Sequence, residues 1–205
     1  MRENIKLLIG AGQNKIQYVE KFSEYLEKFG INCKLVIDVE TCNGFPSKNI
    51  TQWINPFKKI NLLIESFKPD AVFVDRQTQF GIGAIKAGIP LLMHLRGNYW
   101  NEVKWAKKNF SIKDKVVLSI REKIAEDCFR GSKMILPFSK HLSEIVSERY
   151  PNKKIEVFHD GLEIDDWYKD EPMNLKYPCV GLLQNASVWI KTQEMLSLKN
   201  ILEKF

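Results

Sequence analysis

The chain has 205 residues, of which 44% are hydrophobic and 27% are charged, with a formal net charge of +6. This is the composition of a globular protein large enough for one substantial core or two small ones. No apolar run reaches the roughly 20 residues that a membrane-spanning helix needs.

The first part of the chain alternates between strand and helix patterns. The run "IKLLIGAG" (5–12) is apolar and stopped by glycine, which is typical of a strand buried on both faces. Apolar residues then recur every three or four positions in 14–30, which predicts a helix ended by Gly30 in a left-handed conformation. A second strand is predicted over 31–39 and a loop over 40–52.

The alternation continues toward the carboxyl terminus. Asn55 and Pro56 suggest an N-cap followed by proline at the first helical position. Gly88 and Gly131 are expected to end two later helices, and Ser139 can cap another. The remaining strands are predicted over 71–75, 89–95, 132–138 and 153–161, with helices before or after each of them.

This alternation predicts an α/β fold, a doubly wound parallel sheet of Rossmann type. Ligands bind such sheets beyond the carboxyl ends of the strands. The polar residues that end the strands are therefore expected to line one cleft, although any one of them alone would serve equally well to cap a helix or close a turn. They lie at 10–13, 75–76, 94–97, 138–139 and 159–161.

A glycine loop, "GAGQNK" (10–15), joins the first strand to the first helix. Such a loop lets a ligand approach the backbone, and the helix start attracts anions. Lys15 occupies the third glycine position of the dinucleotide fingerprint, so the motif is incomplete, whereas Asp38 keeps a nicotinamide-dinucleotide interpretation open. A plain tight turn is the other interpretation.

The string "HLRGNYWNE" (94–102) is the most distinctive one in the chain. Arg96 is a planar cation that suits phosphate or carboxylate. Gly97 lets the chain turn sharply. Glu102 would accept a hydrogen bond from a sugar hydroxyl or pair with Arg96.

Residues 99–115 contain five lysines and two tryptophans. Basic residues among aromatic ones suit an interfacial helix on anionic lipid, which predicts peripheral membrane contact through 100–115. The same pattern suits single-stranded nucleic acid, and it also suits a solvated helix face with buried tryptophans.

The texture of the sequence changes after Tyr168. Residues 171–205 read as a linker followed by one strand and one helix, so the domains are predicted as 1–170 and 171–205. A lone strand–helix unit cannot build its own core, and it either joins the first sheet or begins a second domain. Lys191 starts the last helix, where a cation opposes the helix dipole and suits either an anionic ligand or the plain surface.

Cysteine and histidine usage predicts no metal site. Cys33, Cys42, Cys128 and Cys179 show no C-x-x-C spacing and the histidines are scattered, which favours reduced, mostly buried thiols. The amino terminus enters a strand without a signal-peptide pattern, so we expect a cytoplasmic protein, with peripheral contact at the inner face of the membrane as a further expectation.

Two segments, 68–97 ("KPDAVFVDRQTQFGIGAIKAGIPLLMHLRG") and 132–168, resemble the amino-terminal half of GT-B glycosyltransferases, specifically retaining family 4, glycosyl transferases group 1. The features shared are a strand after "P-D", a helix ending "A-G-I-P" and "KIEVFHDGLEIDDWY". In that last motif Gly161 matches the family glycine and Asp160 stands where asparagine is usual.

The resemblance implies a hexosyltransferase-type enzyme that moves a sugar, with retention and without metal or other cofactor, from a nucleotide-sugar donor to a sugar or lipid-linked acceptor. The acceptor would lie mainly on this domain and the donor on a second, Rossmann-like one. By the resemblance Gly12 and Gln13 lie in the loop that meets the donor phosphates, Arg96 falls where the family often has a histidine near the transferring sugar, and Lys191 contacts donor phosphate. Together with the strand-end residues, the candidate sites are Arg96 and His94 for catalysis, and Gly12, Gln13, Arg76, Gly97, Glu102, Ser139, Asp160 and Gly161 for substrate binding.

The family's E-x7-E element and nucleotide pocket are not found in the 205 residues. We therefore expect an amino-terminal domain, either a fragment or a natural truncation, that is inactive alone because leaving-group stabilisation is missing. The alternatives are a standalone doubly wound ligand-binding or partner-dependent module without catalysis, a dinucleotide-dependent oxidoreductase and, least favoured, a nucleic-acid-binding protein.

Overall fold

The computed structural model describes residues 5–42, 44 and 51–161, all within a unit that spans Met1–Leu162. These residues form one sheet of six strands, all parallel, with helices on both faces. The predicted fold class is confirmed. The strands are β1 (Lys6–Ala11), β2 (Asn32–Ile37), β3 (Ala71–Val74), β4 (Leu91–Leu95), β5 (Met134–Pro137) and β6 (Lys154–Ile155), in the spatial order β2-β1-β3-β4-β5-β6.

The helices lie in the crossover connections that parallel strands require. Gly30 and Gly88 have φ angles of 80° and 74°, the left-handed conformation expected after the helices that they follow. The helices are α1 (Ile16–Lys28, preceded by a 3-10 turn, Gln13–Lys15), α2 (Asp38–Thr41), α3 (Thr51–Ile54), α4 (Lys58–Phe67), α5 (Gln79–Lys86), α6 (Tyr99–Asn109), α7 (Ile112–Gly131) and α8 (Lys140–Arg149).

Two local predictions were wrong. Helix α4 begins at Lys58 with Phe57 as its N-cap, not at Asn55 and Pro56. The N–H of Lys58 lies 3.4 Å from the Asn55 carbonyl oxygen, which is a β-turn, and asparagine followed by proline suits the first two positions of such a turn as well as a helix start. Residues 40–52 also contain the end of α2 and the start of α3.

The strands are buried on both faces, as apolar runs in a parallel sheet require. One face packs Leu8, Val72, Val74 and Met93 against the helices that follow β2, β3 and β4. The other face packs residues of the alternate set, such as Ile9 and Phe73, against α1. Phe80 and Phe129 are the largest fully buried side chains among the described residues.

Gly10 allows α5 to approach β1 closely. A Cβ atom at Gly10 would lie 2.5 Å from Cε1 of Phe80, which is fully buried. Only glycine fits there without moving the ring.

The sheet order places a topological switch point between β1 and β3. The chain leaves β1 toward β2 on one side and returns to β3 on the other, so the loops after β1 and β3 diverge and leave a crevice at their carboxyl ends. Predicted site residues Gly12, Gln13 and Arg76 follow those two strands.

Candidate functional site

A partly buried ion cluster, which we call the Arg96 cluster, lies at the carboxyl edge of the sheet. Arg96 follows β4, Asp75 follows β3, and Asp160 comes from the segment after β6. Nε of Arg96 donates to Oδ1 of Asp75 at 2.6 Å, and Nη1 of Arg96 donates to Oδ2 of Asp160. The cluster therefore joins three segments that are far apart in the chain.

Helix α1 adds an aromatic wall to this cluster. The guanidinium carbon of Arg96 lies 4.6 Å from the ring centroid of Tyr18, close enough for a cation–π contact. The Arg96 side chain is 24% exposed, compared with 5% for Asp75 and 17% for Asp160. Arg96 is thus the most solvent-accessible charged group of the three.

His94 lies behind the ion pairs and is completely buried. Its Nδ1 is 3.6 Å from Oδ1 of Asp75, and its Nε2 is 3.9 Å from Oδ1 of Asp160, both too long for a hydrogen bond. The ring packs edge-on against Phe158, with a centroid separation of 5.2 Å, and lies 6.0 Å from Phe73. His94 therefore faces both carboxylates without reaching the surface.

The Arg96 cluster retains unused hydrogen-bonding capacity. Both ring nitrogens of His94 and Oδ1 of Asp160 are buried without a hydrogen-bond partner among the described residues. Buried polar groups in folded proteins are nearly always hydrogen-bonded. The three atoms are themselves buried, so their hydrogen-bonding capacity lies beneath the exposed guanidinium of Arg96.

The ionisation of Asp75 is governed by its neighbours. Burial raises the pKa of its carboxyl group, but His94 and Arg96, which both face it, outweigh burial and hold the pKa below the ordinary value. Asp75 is therefore a carboxylate at neutral pH. Two carboxylates face one guanidinium, so even a protonated His94 would leave the cluster with no excess positive charge.

A second ion pair lies beyond β2 and β3. Nε and Nη2 of Arg76 donate to the two carboxylate oxygens of Asp38, each at 2.8 Å, and Thr78 Oγ1 lies 3.3 Å from the same group. The hydrogen bonds to Asp38 outweigh desolvation and raise the pKa of Arg76. Because Arg76 occupies both oxygens of Asp38, that carboxylate is poorly placed to bind a dinucleotide ribose, which counts against the oxidoreductase alternative.

The glycine loop after β1 lies next to the Arg76 ion pair. A Cβ atom at Gly12 would lie 3.1 Å from the guanidinium carbon of Arg76, so the backbone after β1 passes directly beside that side chain. Gln13 is exposed at the start of the 3-10 turn. Gln13 is therefore accessible to a ligand at the carboxyl edge beside Arg76.

A cavity of about 330 Å³ is lined in part by Arg76. Its walls combine apolar side chains with polar ones, including Tyr99 and the exposed Arg121. In full, the described lining residues are Val39, Cys42, Gly44, Arg76, Gln77, Thr78, Gln79, Tyr99, Arg121 and Ile124.

The remaining predicted site residues have simpler surroundings. Ser139 caps α8, because its hydroxyl oxygen accepts the N–H of Leu142 at 3.3 Å. Glu102 packs against Gly97, where a Cβ atom would lie 2.9 Å from Oε1. Gly161 is exposed at the end of the described residues. Lys191 and the predicted second domain lie outside the described residues.

From the sequence, Asp75 was placed at the cleft without a role, Asp38 was considered only as the acid of a dinucleotide site, and Tyr18 and Phe158 were not selected. The structure brings Asp75, Arg96, His94 and Asp160 together. Asp75 was found because it directly follows an apolar strand, but its partners could not be read from that position. Tyr18 left no such signal, since its contact with Arg96 depends on how α1 lies across the sheet.

No protein-family model matches the chain, and no curated protein matches its sequence. Among solved structures it is similar to the UDP-GlcNAc 2-epimerase from Methanocaldococcus jannaschii, with a TM-score of 0.52 and 16% identity over 75% of this chain and 45% of that one. It is also similar to Glycyrrhiza uralensis UGT73P12 complexed with glycyrrhetinic acid 3-O-monoglucuronide, with a TM-score of 0.39 and 15% identity over 74% and 42% of the two chains.

The chain spans less than half the length of both solved proteins. At 16% identity the similarity to the epimerase concerns the fold. It agrees with the order and parallel pairing of the six strands described above. The described part of the chain therefore has a Rossmann-like α/β fold of the GT-B type.

Proposed function

We propose that this chain is the amino-terminal, acceptor-side domain of a glycosyltransferase that moves a sugar from a nucleotide-sugar donor to a sugar or lipid-linked acceptor, with retention of configuration. The observation that carries the proposal is the Arg96 cluster at the carboxyl edge of the sheet. Two carboxylates, one guanidinium and aromatic walls form the kind of site that hydrogen-bonds hydroxyl groups from several directions. The GT-B-type fold supports the same conclusion.

The charge of the cluster favours a sugar over a phosphate. Phosphate sites need excess positive charge or free backbone N–H groups. Arg96 is already balanced by Asp75 and Asp160. Hydroxyl groups can donate to the carboxylates and accept from the remaining guanidinium N–H groups, so they complement the cluster without extra charge.

The roles of individual residues follow from their exposure. Arg96 is the group that touches the reacting sugar or acceptor, because it is the most exposed of the three charged groups, and Asp160 holds its guanidinium in place. His94 is a positioning residue, because it is fully buried and faces both carboxylates. Gly97 and Glu102 shape the rim after β4, with Ser139 and Gly161 on the neighbouring loops.

The donor phosphates are assigned to the part of the carboxyl edge that follows β1 and β3. Gly12 and Gln13 carry backbone N–H groups near a helix start, which suits an anion, and Arg76 lies beside them. Lys191 is the predicted phosphate contact from a second domain. The proposal places most of the nucleotide on that domain, so the 205-residue chain alone is expected to transfer little.

The test uses the native protein, captured from its source cells with an antibody raised against this chain. It is incubated with radiolabelled nucleotide sugars, one at a time, and with the sugar and lipid extract of the same cells. We expect one nucleotide sugar to label one acceptor fraction. The Arg96→Ala variant, expressed in the same cells, should lower that transfer by about a hundredfold or more.

Two further variants separate chemistry from folding. Arg96→Lys keeps a cation between Asp75 and Asp160 but loses the planar fork, so it should fold and still transfer slowly. Arg130→Ala is the matched control, because Arg130 pairs only locally with Glu126 on α7 and precedes β5 at the opposite edge of the sheet. Wild-type transfer rates in both Arg96 variants would refute the site, and no transfer from any nucleotide sugar would refute the function.

A second candidate function is a standalone ligand-binding module without catalysis. The cavity of about 330 Å³ beside Arg76 favours it, since the described residues of its lining all lie within 39–124. The same experiment discriminates between the two. A small molecule that remains bound to the captured protein, in the absence of any transfer, would favour the binding module.

A further inference from the structure

The junction of α6 and α7 exposes apolar side chains at a projecting turn. Phe110 is 42% exposed, Ile112 is 84% exposed and Val116 is 59% exposed. Ile112 and Val116 are one helical turn apart and share a face of α7. We call residues 104–116 the α6–α7 tip.

The tip is built as a defined structure. Lys107 Nζ pairs with Oε1 of Glu122 at 2.8 Å, which ties the end of α6 to α7. The hydroxyl oxygen of Ser111 accepts the N–H of Asp114 and the hydroxyl donates to the Asp114 carboxylate at 2.6 Å, which fixes the start of α7. The exposed apolar residues are therefore held in place beside a capped helix start.

Lysines surround these apolar residues. Lys104, Lys108, Lys113 and Lys115 make no ion pair within the described residues. The tip's acidic group, Asp114, is committed to the cap with Ser111. The exposed apolar side chains are thus bordered by uncompensated positive charge.

We propose that the α6–α7 tip is a peripheral membrane-binding surface for bilayers that contain anionic phospholipid. Ile112, Val116 and Phe110 enter the boundary between headgroups and acyl chains, and the lysines lie at the level of the lipid phosphates. Among the described residues no helix is long and apolar enough to cross a membrane. The inference is independent of the proposed enzymatic function.

The side chains at the tip favour lipid over nucleic acid. Single-stranded nucleic acid is bound by stacking bases on exposed aromatic rings. Trp100, which precedes the tip, is already occupied, since it stacks on Phe129 with centroids 5.1 Å apart and carries the guanidinium of Arg149 at 4.6 Å. Within the tip, Trp105 is half-buried and Phe110 is less exposed than Ile112 or Val116. The most exposed apolar groups at the tip are the aliphatic Ile112 and Val116, which suit hydrocarbon.

The test is sedimentation of the 205-residue chain with vesicles of phosphatidylcholine, either alone or with about one third phosphatidylglycerol. We expect binding to the anionic vesicles to be at least about tenfold tighter than to the neutral ones, and to weaken as salt is added. Ile112→Glu/Val116→Glu should reduce that binding by about tenfold or more. Lys108→Gln/Lys113→Gln should remove about half of its salt dependence, because two of the four unpaired lysines remain.

The matched control is Ile54→Glu/Leu62→Glu. Ile54 is 89% exposed and Leu62 is 55% exposed, so this pair introduces the same charges at nearly the same exposure elsewhere on the molecule. It should bind anionic vesicles more weakly only by the small amount that two added negative charges produce. All variants should keep the wild-type thermal midpoint, because the substituted side chains face solvent.

Several outcomes would overturn the proposal. Equal losses in the tip pair and the control pair would mean that charge alone governs binding. Release of the bound chain by soluble glycerol phosphate would indicate recognition of free phosphate rather than a bilayer. Preference for single-stranded RNA over anionic vesicles, with the same lysine dependence, would assign the tip to nucleic acid.

Discussion

Arg76 and Arg96 lie at the same edge of the sheet, but their surroundings differ. Arg76 is 43% exposed and satisfies one carboxylate, Asp38, through two hydrogen bonds of 2.8 Å. Arg96 is 24% exposed and divides its donors between Asp75 and Asp160. The first pair is balanced in charge, whereas the second cluster has more carboxylates than arginines.

This difference separates a structural ion pair, at Arg76, from a candidate binding site, at Arg96. The Arg76 pair links the ends of β2 and β3 beside the glycine loop, and neither partner has buried capacity left unused among the described residues. The Arg96 cluster joins β3, β4 and the segment after β6, and it keeps an unpaired oxygen on Asp160 and two unpaired nitrogens on His94. Excess acceptors behind a partly exposed cation are the feature expected of a hydroxyl-binding site.

The largest expected effect comes from removing the two arginines in turn. Arg96→Ala leaves Asp75, which is buried, and Asp160, which is partly buried, without a cation, and should lower the free energy of unfolding by about 3–5 kcal/mol. Arg76→Ala leaves only Asp38 without a cation, and this buried carboxylate keeps hydrogen bonds from the Val39 N–H and the Thr78 hydroxyl, so about 2 kcal/mol is expected. Urea unfolding at neutral pH measures both changes. An equal or larger loss in Arg76→Ala would show that the two sites do not differ in this way.

A smaller effect should appear as a pH dependence. The folded-state pKa of Asp75 is lowered, so its contribution to stability is present above the unfolded-state pKa of about 4 and is lost as the pH falls through the folded-state value. The free energy of unfolding of the wild-type chain should therefore decrease below about pH 4. Asp75→Asn removes this contribution, and its stability should change less over the same range.

Glu126 provides the control for that measurement. The hydrogen bonds from Tyr150 and Arg130 outweigh its burial and lower its pKa too, but the carboxylate is 36% exposed on the surface of α7. Glu126→Gln should reduce the loss of unfolding free energy at acid pH only slightly, because solvent screens this group. If Glu126→Gln reduced that loss as much as Asp75→Asn, the acid sensitivity would not be a property of the Arg96 cluster.

The sequence predicted the sheet well because burial on two faces leaves a strong local signal. Strands such as β1 and β3 are short apolar runs, and the polar residues that end them lie at one edge whatever the strand order. The expected cleft residues Arg96, His94 and Asp160 therefore meet in the structure. What local pattern could not supply was the pairing itself, since Arg96 and Asp160 are 64 residues apart and meet only because β4, β5 and β6 are neighbours.

Other features could not be decided from the sequence, because the same residue types suit two structural roles. Asparagine followed by proline suits both a helix start and a β-turn, and at Asn55 the turn won. Asp38 stands near the end of β2, where a ribose-binding acid would stand, but Arg76 from the next strand occupies it. In both cases the residue type was informative, while the choice between two uses depended on distant parts of the chain.

The smallest expected effect concerns Ser139, which tests whether a place at the sheet edge is enough for a ligand role. Its hydroxyl oxygen caps α8, so Ser139→Ala should lower the free energy of unfolding by about 1 kcal/mol. Ser111→Ala at the start of α7 removes an equivalent cap and should cost a similar amount. Ser139→Asp restores an N-cap acceptor and should recover most of the stability, because aspartate caps as well as serine does.

Transfer by the native enzyme then separates the two roles of the hydroxyl. If Ser139 only caps, Ser139→Ala should retain activity within about tenfold of wild type, and Ser139→Asp should restore both stability and transfer. If the hydroxyl also contacts the substrate, Ser139→Asp would recover stability while transfer stayed low, because a carboxylate cannot donate the proton that serine offers. In that case the site would extend from the Arg96 cluster across the end of β5 to the start of α8.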